Sequence, residues 1–465
     1  MADATITSKS DMCHGPLAKK MILFTLPLIA SSMLQLLFNA ADVIVVGRFA
    51  GSESLAAVGS TGSLINLLVN LFIGLSIGAN VVVARAIGAG ESCGIRDTVH
   101  TAMTLSLIGG IILTVIGVPL SRYALELMSS PEDVIDLSTL YLRIYFFGMP
   151  AMMVYNFGSA ILNAVGDTKR PLYFLVAAGI INVILNLFFV IVCDWGVAGV
   201  ATATVISQVV SAGLIVYCLM RESGDLKLEL KKLGIRADKL KKIMRIGIPA
   251  GLQGMVFSIS NIVLQSAINS FGSAVMAGNA AAQNIEGFIY VAMNSFSRTA
   301  LTFTGQNSGA GEHKRVMRVF LLCSLFVTIT GLLLGLAALG FGNELLSIYS
   351  SDPEVIRSGL IRMEYICSTY ALCGLMDIAA GSLRGMGYSV TPMIVSLLGA
   401  CGLRLVWLGT VFQMEQFHTP DTVYLSYPVS WVITVAAHVI CFFICRRRLK
   451  KKVQLRKTES VPEAR

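Results

Sequence analysis

Long apolar segments alternate with short polar ones along nearly the whole chain. A helix needs about 20 apolar residues to cross the hydrocarbon core of a bilayer, and windows of that kind recur twelve times. The pattern predicts an all-α integral membrane protein, and its even number of spans places both termini on one side. The predicted spans are 19–47, 55–84, 98–120, 139–163, 171–193 and 197–220, then 243–270, 276–303, 316–341, 359–383, 392–412 and 424–446.

The composition supports a membrane protein. Hydrophobic residues make up 55% of the chain and charged residues only 14%, with a mean hydropathy of +0.73. A soluble protein has nearer about 25% charged residues, so a soluble fold is excluded. Residues 1–18 are polar and lack the pattern of a signal peptide. We expect them to form a short N-terminal segment ahead of the first span.

The charged residues are divided between two sets of connections. Basic residues gather in the connector 221–242 and in the tail, 447–465, which begins within a run of arginines at 446–448. Acidic residues gather instead in the connections around 132–136 and 352–354. The positive-inside rule therefore predicts that the connector and both termini are cytoplasmic. Topology explains the net charge of +9 without a nucleic-acid partner.

The two halves of the chain repeat each other. Pro27 recurs as Pro249, 222 residues later, and the tetrapeptide GAGE at 88–91 returns at 309–312, 221 residues later. The repeat predicts two six-helix bundles, an N-lobe at 19–220 and a C-lobe at 243–446. Because six spans return the chain to the same side, the pseudo-twofold axis should run along the membrane normal, with a cavity between the lobes. This architecture suits alternating access by two lobes.

The first span contains one carboxylate, Asp42. An aspartate at the bilayer centre costs about 2.5–3.5 kcal/mol, so it usually faces a cavity or a partner. Alternatively, if Asp42 lies close to the outer end of the span, water would solvate it and its role would be structural. Amides and hydroxyls beside a carboxylate can bind a proton or a dehydrated cation, whereas single amides more often bond to a neighbouring helix. We favour a coupling site made of Gln35, Asn39, Asp42, Tyr141, Asn182, Asn186 and Thr204.

The second half has its own intramembrane polar residues. Asn279, Gln283 and Glu286 follow one another at i, i+4 and i+7, so they share one face of a helix. We expect Arg404 to offset Glu286 or Asp377, since intramembrane charges tend to pair. A structural ion pair and a substrate site for cations both remain open. The substrate-cavity candidates are Gln253, Asn261, Gln283, Glu286, Asp377 and Arg404.

Other classes of protein are not indicated. The chain has no GxxxxGK[ST] or HExxH motif, so we expect neither an enzyme nor an ATP-driven pump. The ten cysteines include no CxxC pair and the five histidines are dispersed, so no metal site is expected. A receptor would usually need extramembrane domains, and the predicted connections are short.

Five segments together resemble the multidrug and toxic compound extrusion (MATE) family, over essentially residues 15–447. They are PLIASSMLQLLFNAADVIVVGRF (27–49), LAAVG (55–59), LNAVGDTKRP (162–171), GQNSGAGEHKR (305–315) and LRGMGYSVTP (383–392). The resemblance implies a bacterial cell-membrane antiporter that exports amphipathic, mostly cationic compounds against H⁺ or Na⁺. It would act as a monomer, need no cofactor, and have drugs and membrane lipid as its partners.

The resemblance also concerns particular residues. Family members gather ion-binding residues on helices 1, 4, 5 and 6, and the matching positions here are Gln35, Asp42, Tyr141, Asn182, Asn186 and Thr204. Asn186 stands where some members have a second carboxylate. Gln253 and Phe257 lie where one branch has a glutamate. These departures shift the expected coupling site to Asp42. The alternative function is a flippase for a lipid-linked saccharide or peptidoglycan precursor, which would usually need additional spans and more basic cavity residues.

Overall fold

A computed structural model describes residues 11–128 and 131–459, and every regular element within these ranges is helical. In a helix the backbone N–H and C=O groups bond to one another, and this is needed in a bilayer because lipid tails offer no hydrogen-bond partners. The first half contains α1 (Leu17–Phe49), α2 (Gly51–Ala89), α3 (Ser92–Leu127), α4 (Glu132–Phe147), α5 (Met149–Val165), α6 (Lys169–Leu187) and α7 (Gly196–Arg221). The second contains α8 (Ala237–Asn269), α9 (Ser273–Gly309), α10 (His313–Gly340), α11 (Gly342–Ser347), α12 (Pro353–Gly385), α13 (Val390–Ser396), α14 (Leu403–Gly409) and α15 (Pro420–Glu459).

The predicted all-α, multi-pass architecture is confirmed. Within the described ranges, ten helical segments are long and apolar enough to cross a membrane, and the pair α4 and α5 would make an eleventh. This pair bends by 48° where the sequence predicts one continuous span. Pro150, in the first turn of α5, has no N–H to continue the ladder of α4. The predicted span 276–303 lies on α9, which is not among the ten apolar segments.

The chain forms two compact units. The N-unit is defined here as Leu26–Gly251, and the C-unit as Met12–Thr25 together with the chain from Leu252 onward. Both α1 and α8 therefore contribute residues to each unit. The lobe boundaries drawn from the sequence, 19–220 and 243–446, stay a prediction.

Small residues bring α2 and the first part of α8 together inside the N-unit. A Cβ atom added at Gly74 would overlap the backbone of Gly251, and one added at Gly78 would overlap the carbonyl of Ile243. Glycine is required here because the two backbones approach too closely for any side chain.

The C-unit is built around α9 and α12. A Cβ atom at Gly278 would lie 2.7 Å from the backbone nitrogen of Gly359, so these two helices also meet backbone to backbone. The short segment before α1 belongs to this unit. Arg315 donates from Nε to the carbonyl of Met12 at 3.2 Å and from Nη2 to that of His14 at 3.0 Å. The C-unit thus includes the segment Met12–Thr25 as well as the chain from Leu252 onward.

Candidate functional site

Asp42 lies inside the N-unit on α1, and its side chain is only 9% exposed. Its carboxylate meets side chains from two other helices. The Nδ2 of Asn186, on α6, donates to Oδ1, and the hydroxyl of Thr204, on α7, donates to Oδ2 at 3.5 Å. The carboxylate is therefore held where three helices of one unit meet.

The partners of Asp42 also bond to one another. Asn186 donates from Nδ2 to Oδ1 of Asn182 at 3.2 Å, and Asn182 donates from Nδ2 to the hydroxyl of Thr204 at 3.4 Å. The i, i+4 spacing of the two asparagines on α6 puts them one above the other. The four residues close a ring of hydrogen bonds with a single carboxylate, called here the Asp42 ring.

The Asp42 ring contains an acceptor that has no donor. The Oδ1 of Asn186 is buried without a hydrogen-bond partner, next to the carboxylate that its own Nδ2 contacts. A buried polar atom left unsatisfied costs about 1–3 kcal/mol. A proton on Asp42, or a cation shared by the carboxylate and the amide oxygens, would satisfy it. The ring has the chemistry of a small cation or proton site.

Two tyrosines on α4 border the Asp42 ring. Tyr141 and Tyr145 stack with their ring centroids 6.0 Å apart, and both lie near enough to Asp42 to interact with it electrostatically. Gln35 and Asn39 are exposed on α1. The structure thus gathers Asp42, Asn182, Asn186, Thr204 and Tyr141. Gln35 and Asn39 share their helix, but a coupling role for them stays a prediction.

The C-unit holds its buried carboxylate differently. The guanidinium of Arg362, on α12, donates from Nε and Nη2 to the two oxygens of Glu286 at 2.9 and 2.6 Å. Its Nη1 donates to Oδ1 of Asn279 at 2.9 Å. Both Asn279 and Glu286 come from the stripe predicted on α9. Bidentate contact of this kind is the strongest form of a charge-assisted hydrogen bond.

Arg404 has different neighbours from those expected. The predicted pairing with Glu286 or Asp377 is wrong, because Arg362 occupies Glu286 and Arg404 lies over the ring of Tyr427, 4.1 Å from its centroid. Its Nε donates to the hydroxyl of Ser430 at 2.9 Å. Arg404, on α14, packs against Ser430 and Tyr427 of α15 instead, and spacing along the sequence does not reveal this pairing.

In the part of the chain that the structure describes, none of the other C-unit candidates hydrogen-bonds directly to Arg362 or Glu286. Gln253 is buried, donates to the hydroxyl of Ser396 at 3.0 Å and accepts from Arg384 at 2.6 Å. Asp377 is half-buried and accepts from Asn294 at 3.5 Å. The two remaining candidates are exposed: Gln283, which donates to Gln265 at 3.3 Å, and Asn261.

Arg362 is the main residue that the sequence analysis does not single out. It lies near the start of a predicted span, where a charge is easily assigned to the membrane surface. The repeat supplies a signal, because Arg362 follows the coupling candidate Tyr141 by 221 residues, the offset that relates the two halves. A pairwise comparison of the halves would have identified the position.

The Asp42 ring could offer a metal ion only oxygen ligands. In the part of the chain that the structure describes, no group of three or more His, Cys, Asp or Glu side chains is placed to hold a metal ion. The Asp42 ring offers carboxylate, amide and hydroxyl oxygens, which suit hard cations rather than transition metals.

Comparison with known proteins shows which family the chain belongs to. The MatE family model matches residues 27–188 and 249–408, together more than half of the chain. The chain is 26% identical over 426 residues to the "Probable multidrug resistance protein YoeA" of Bacillus subtilis (strain 168), covering 90% of this chain and 91% of that protein. It is 28% identical over 410 residues to the "Probable multidrug resistance protein YpnP" of the same organism, covering 86% and 91%.

A solved structure shows the same fold. The outward-facing conformation of a multidrug resistance MATE family transporter of the MOP superfamily matches with a TM-score of 0.87 at 22% identity, covering 96% of this chain and 98% of that one. The family match falls once on each half of the sequence repeat, and the structural match spans both. The chain is a multi-pass membrane protein that belongs to the MatE family.

Proposed function

We propose that the protein is a secondary active exporter that moves amphipathic, mostly cationic compounds out of a bacterial cell against H⁺ or Na⁺. The observation that carries the proposal is the Asp42 ring, where one buried carboxylate has only neutral partners. Uptake of one proton or one alkali cation neutralises the site, and release restores its charge. A site of this kind can link an ion gradient to a conformational change.

Alternating access is the mechanism that the duplicated halves support. Asn182 and Asn186 come from α6 and Thr204 from α7, whereas Asp42 comes from α1. Binding of the ion therefore favours the conformation in which these three helices lie together. The size of the shift depends on how much more tightly that conformation binds the ion than the other one does. Because both halves of the repeat lie on one chain, we propose that a monomer performs the cycle. It needs no cofactor besides the coupling ion.

The relatives favour drug export over lipid flipping. The curated relatives described above carry names that refer to multidrug resistance. A flippase for lipid-linked saccharides is accordingly not favoured.

The decisive experiment is transport in proteoliposomes. Vesicles loaded with ethidium receive a pH gradient or a Na⁺ gradient in separate runs, with wild type compared to Asp42→Asn. We expect one gradient to drive transport in the wild type and neither to drive it in the variant. The matched control is Asp136→Asn, the same change at an exposed carboxylate that pairs with Arg122. Full coupled transport by folded Asp42→Asn would remove Asp42 from the mechanism.

The proposed orientation in the inner membrane has its own test. With cytoplasmic termini, Cys93, exposed at the start of α3, faces the cytoplasm, whereas Cys193, after α6, faces outward. Single-cysteine variants are labelled with a membrane-impermeant maleimide in intact cells and in inverted vesicles. We expect Cys193 to react in cells and Cys93 in inverted vesicles. The reverse pattern would invert the topology.

A further inference from the structure

Part of the connection between α7 and α8 has a fixed position on the N-unit. The backbone N–H of Glu229 donates to Nε2 of His100 at 3.1 Å, and the N–H of Arg236 donates to the hydroxyl of Thr101 at 3.1 Å. Both acceptors lie on α3 and are buried. Side chains that accept from backbone N–H groups hold a connection in place although it forms no long helix or strand. We call residues 227–236 the connector segment.

The hydrogen bonds of the connector segment place it at the boundary of two apolar spans. His100 comes three residues after Asp97 on α3, and the next Asp, Glu, Lys or Arg along the chain is Arg122. The N–H of Leu228 donates to the carbonyl of Leu219, in the last turn of α7, at 3.0 Å. Both helices are long and apolar enough to cross a membrane. The connector segment therefore lies where their apolar stretches end, at the level of the lipid headgroups.

Three aliphatic side chains of the connector segment are exposed. Leu230 is 51% exposed, Leu233 36% and Ile235 44%. Single exposed leucines are ordinary on a protein surface. Three exposed aliphatic residues within a stretch of six, at the headgroup level, are typical of a segment that enters the membrane interface. The positive-inside rule accounts for basic residues in a connection but not for these aliphatic ones.

The charges around the aliphatic residues are mostly positive. From position 221 to position 245 the chain has nine basic and four acidic residues. In the part of the chain that the structure describes, no ion pair involves Lys231, Lys241 or Lys242, and all three are exposed. Their charges can therefore pair with an anion outside the protein. Clusters of lysine and arginine next to a membrane span attract anionic lipids.

The end of α7 also has the residues of a membrane interface. Tyr217 is 58% exposed, and the guanidinium of Arg221 lies 5.3 Å from the centroid of its ring. An exposed tyrosine with a long basic side chain over it is common at the headgroup level, where one part of each residue is apolar and the other polar. Leu219, which accepts from the connector segment, lies between these two residues on the same turn.

We infer that the connector segment is a membrane-surface anchor that binds the headgroups of anionic phospholipids. Its exposed lysines pair with the phosphates, and its three exposed aliphatic side chains enter the interface. An anionic leaflet supplies both the negative charge and the apolar layer, whereas a nucleic acid supplies only the charge. Because α8 begins at Ala237, directly after the segment, the anchor fixes the depth at which that helix enters the bilayer. The inference goes beyond the proposed transport function and does not depend on it.

Fluorescence quenching by brominated lipids tests the contact directly. Leu233→Trp places a fluorophore on the connector segment, and the wild type gives the signal of the three natural tryptophans. Nanodiscs contain equal amounts of phosphatidylglycerol and phosphatidylcholine, and only one of the two lipids is brominated. Each basic side chain near the surface favours the anionic lipid by about fivefold, so phosphatidylglycerol should quench position 233 at least about twofold more strongly. Equal quenching by the two lipids, or none by either, overturns the inference.

The matched control lies in an acidic connection. Ile348, directly after α11, is 76% exposed and is followed by Asp352 and Glu354. Ile348→Trp should show equal quenching by the two lipids or stronger quenching by phosphatidylcholine, since the nearby charges are negative. The same preference for phosphatidylglycerol at positions 233 and 348 would be a property of the nanodisc and would overturn the assignment to the connector segment.

Removal of charge then tests the lysines. Lys231→Gln together with Lys241→Gln, added to Leu233→Trp, should lower the preference for phosphatidylglycerol at position 233 by at least about half. Lys450→Gln together with Lys451→Gln, the same change at two exposed lysines near the end of α15, should keep the preference. An unchanged preference in the folded Lys231→Gln, Lys241→Gln variant contradicts the role of these lysines.

Thermal unfolding tests the same contact without a tryptophan substitution. A lipid that binds the folded protein raises its melting temperature. Replacing phosphatidylcholine by phosphatidylglycerol in the nanodiscs should therefore raise the melting temperature of wild type more than that of the Lys231→Gln, Lys241→Gln variant. An equal rise in both proteins overturns the inference. A variant that is less stable than wild type by the same amount in both lipids would make the two lysines structural, which also overturns it.

Discussion

Among the described residues, each unit buries one carboxylate on a helix of the repeat, but the two units surround it with different partners. Asp42 has two asparagines and a threonine, all neutral, whereas Glu286 has the guanidinium of Arg362. In the proposed mechanism a proton or cation neutralises the Asp42 ring, so its charge can change during a cycle. The Glu286 pair is already neutral as a whole. The comparison indicates that one half of a duplicated fold can provide a switch while the other provides a fixed element.

The largest expected effect is on the fixed pair. Glu286→Gln leaves Arg362 buried without a counter-ion, and breaking a buried pair on one side costs about 3–5 kcal/mol in the free energy of unfolding. Thermal unfolding in detergent measures the loss. The control is Glu344→Gln, an exposed glutamate on α11 of the same unit. The double variant with Arg362→Gln should recover much of the loss, and a stable single variant would refute the structural role.

A second change makes the N-unit resemble the C-unit. Tyr141 is the repeat counterpart of Arg362 and lies near Asp42. Tyr141→Arg should give Asp42 a permanent counter-ion and abolish ion-driven ethidium transport, because the site could no longer change its net charge. The control is Tyr123→Arg, the same change at an exposed tyrosine on α3 of the same unit, which should retain transport. Coupled transport by folded Tyr141→Arg would show that Asp42 need not change its charge.

The stability of Asp42→Asn should contrast with that of Glu286→Gln. Asp42 has no cationic partner that its replacement would leave uncompensated, and asparagine has a similar shape. We therefore expect the free energy of unfolding to change by about 1 kcal/mol or less. The same unfolding assay measures both variants. A loss as large as that of Glu286→Gln would mean that the Asp42 ring is a structural network after all.

The smallest expected effect on transport concerns the Thr204 hydroxyl of the Asp42 ring. Thr204→Val keeps the side-chain volume but removes this hydroxyl, which donates to Asp42 at 3.5 Å and accepts from Asn182 at 3.4 Å. Each of these long hydrogen bonds should contribute only about 0.5 kcal/mol, so transport should fall by about tenfold at most. Transport rates at a fixed gradient test this. Thr202→Val is the control, since that hydroxyl bonds to the backbone of its own helix.

The sequence predicts some features of this molecule better than others. It predicted the helical segments, the duplication and the convergence of Asn182, Asn186 and Thr204 on Asp42, because helical periodicity and hydropathy act locally. It also placed Asn279 and Glu286 on one stripe of α9. The sequence predicts one continuous span at 139–163, whereas the structure has a bend between α4 and α5. It assigned the wrong partner to Arg404, since partner choice depends on which helices pack together.

The sequence by itself determined which segments are apolar enough to span a membrane and which side chains in them are polar. The lengths of the apolar segments, the offset of the repeat and the positions of the basic loops are all properties of the sequence alone. The bilayer acts on each segment through its own apolar length and flanking charges. Only the tertiary structure decided the pairing of those polar side chains. Arg362 reaches Glu286 because α12 packs on α9, whereas Arg404 meets Tyr427 because α14 lies beside α15. Contacts between helices distant in sequence leave no fixed spacing, so these two pairings emerge only from the packed fold.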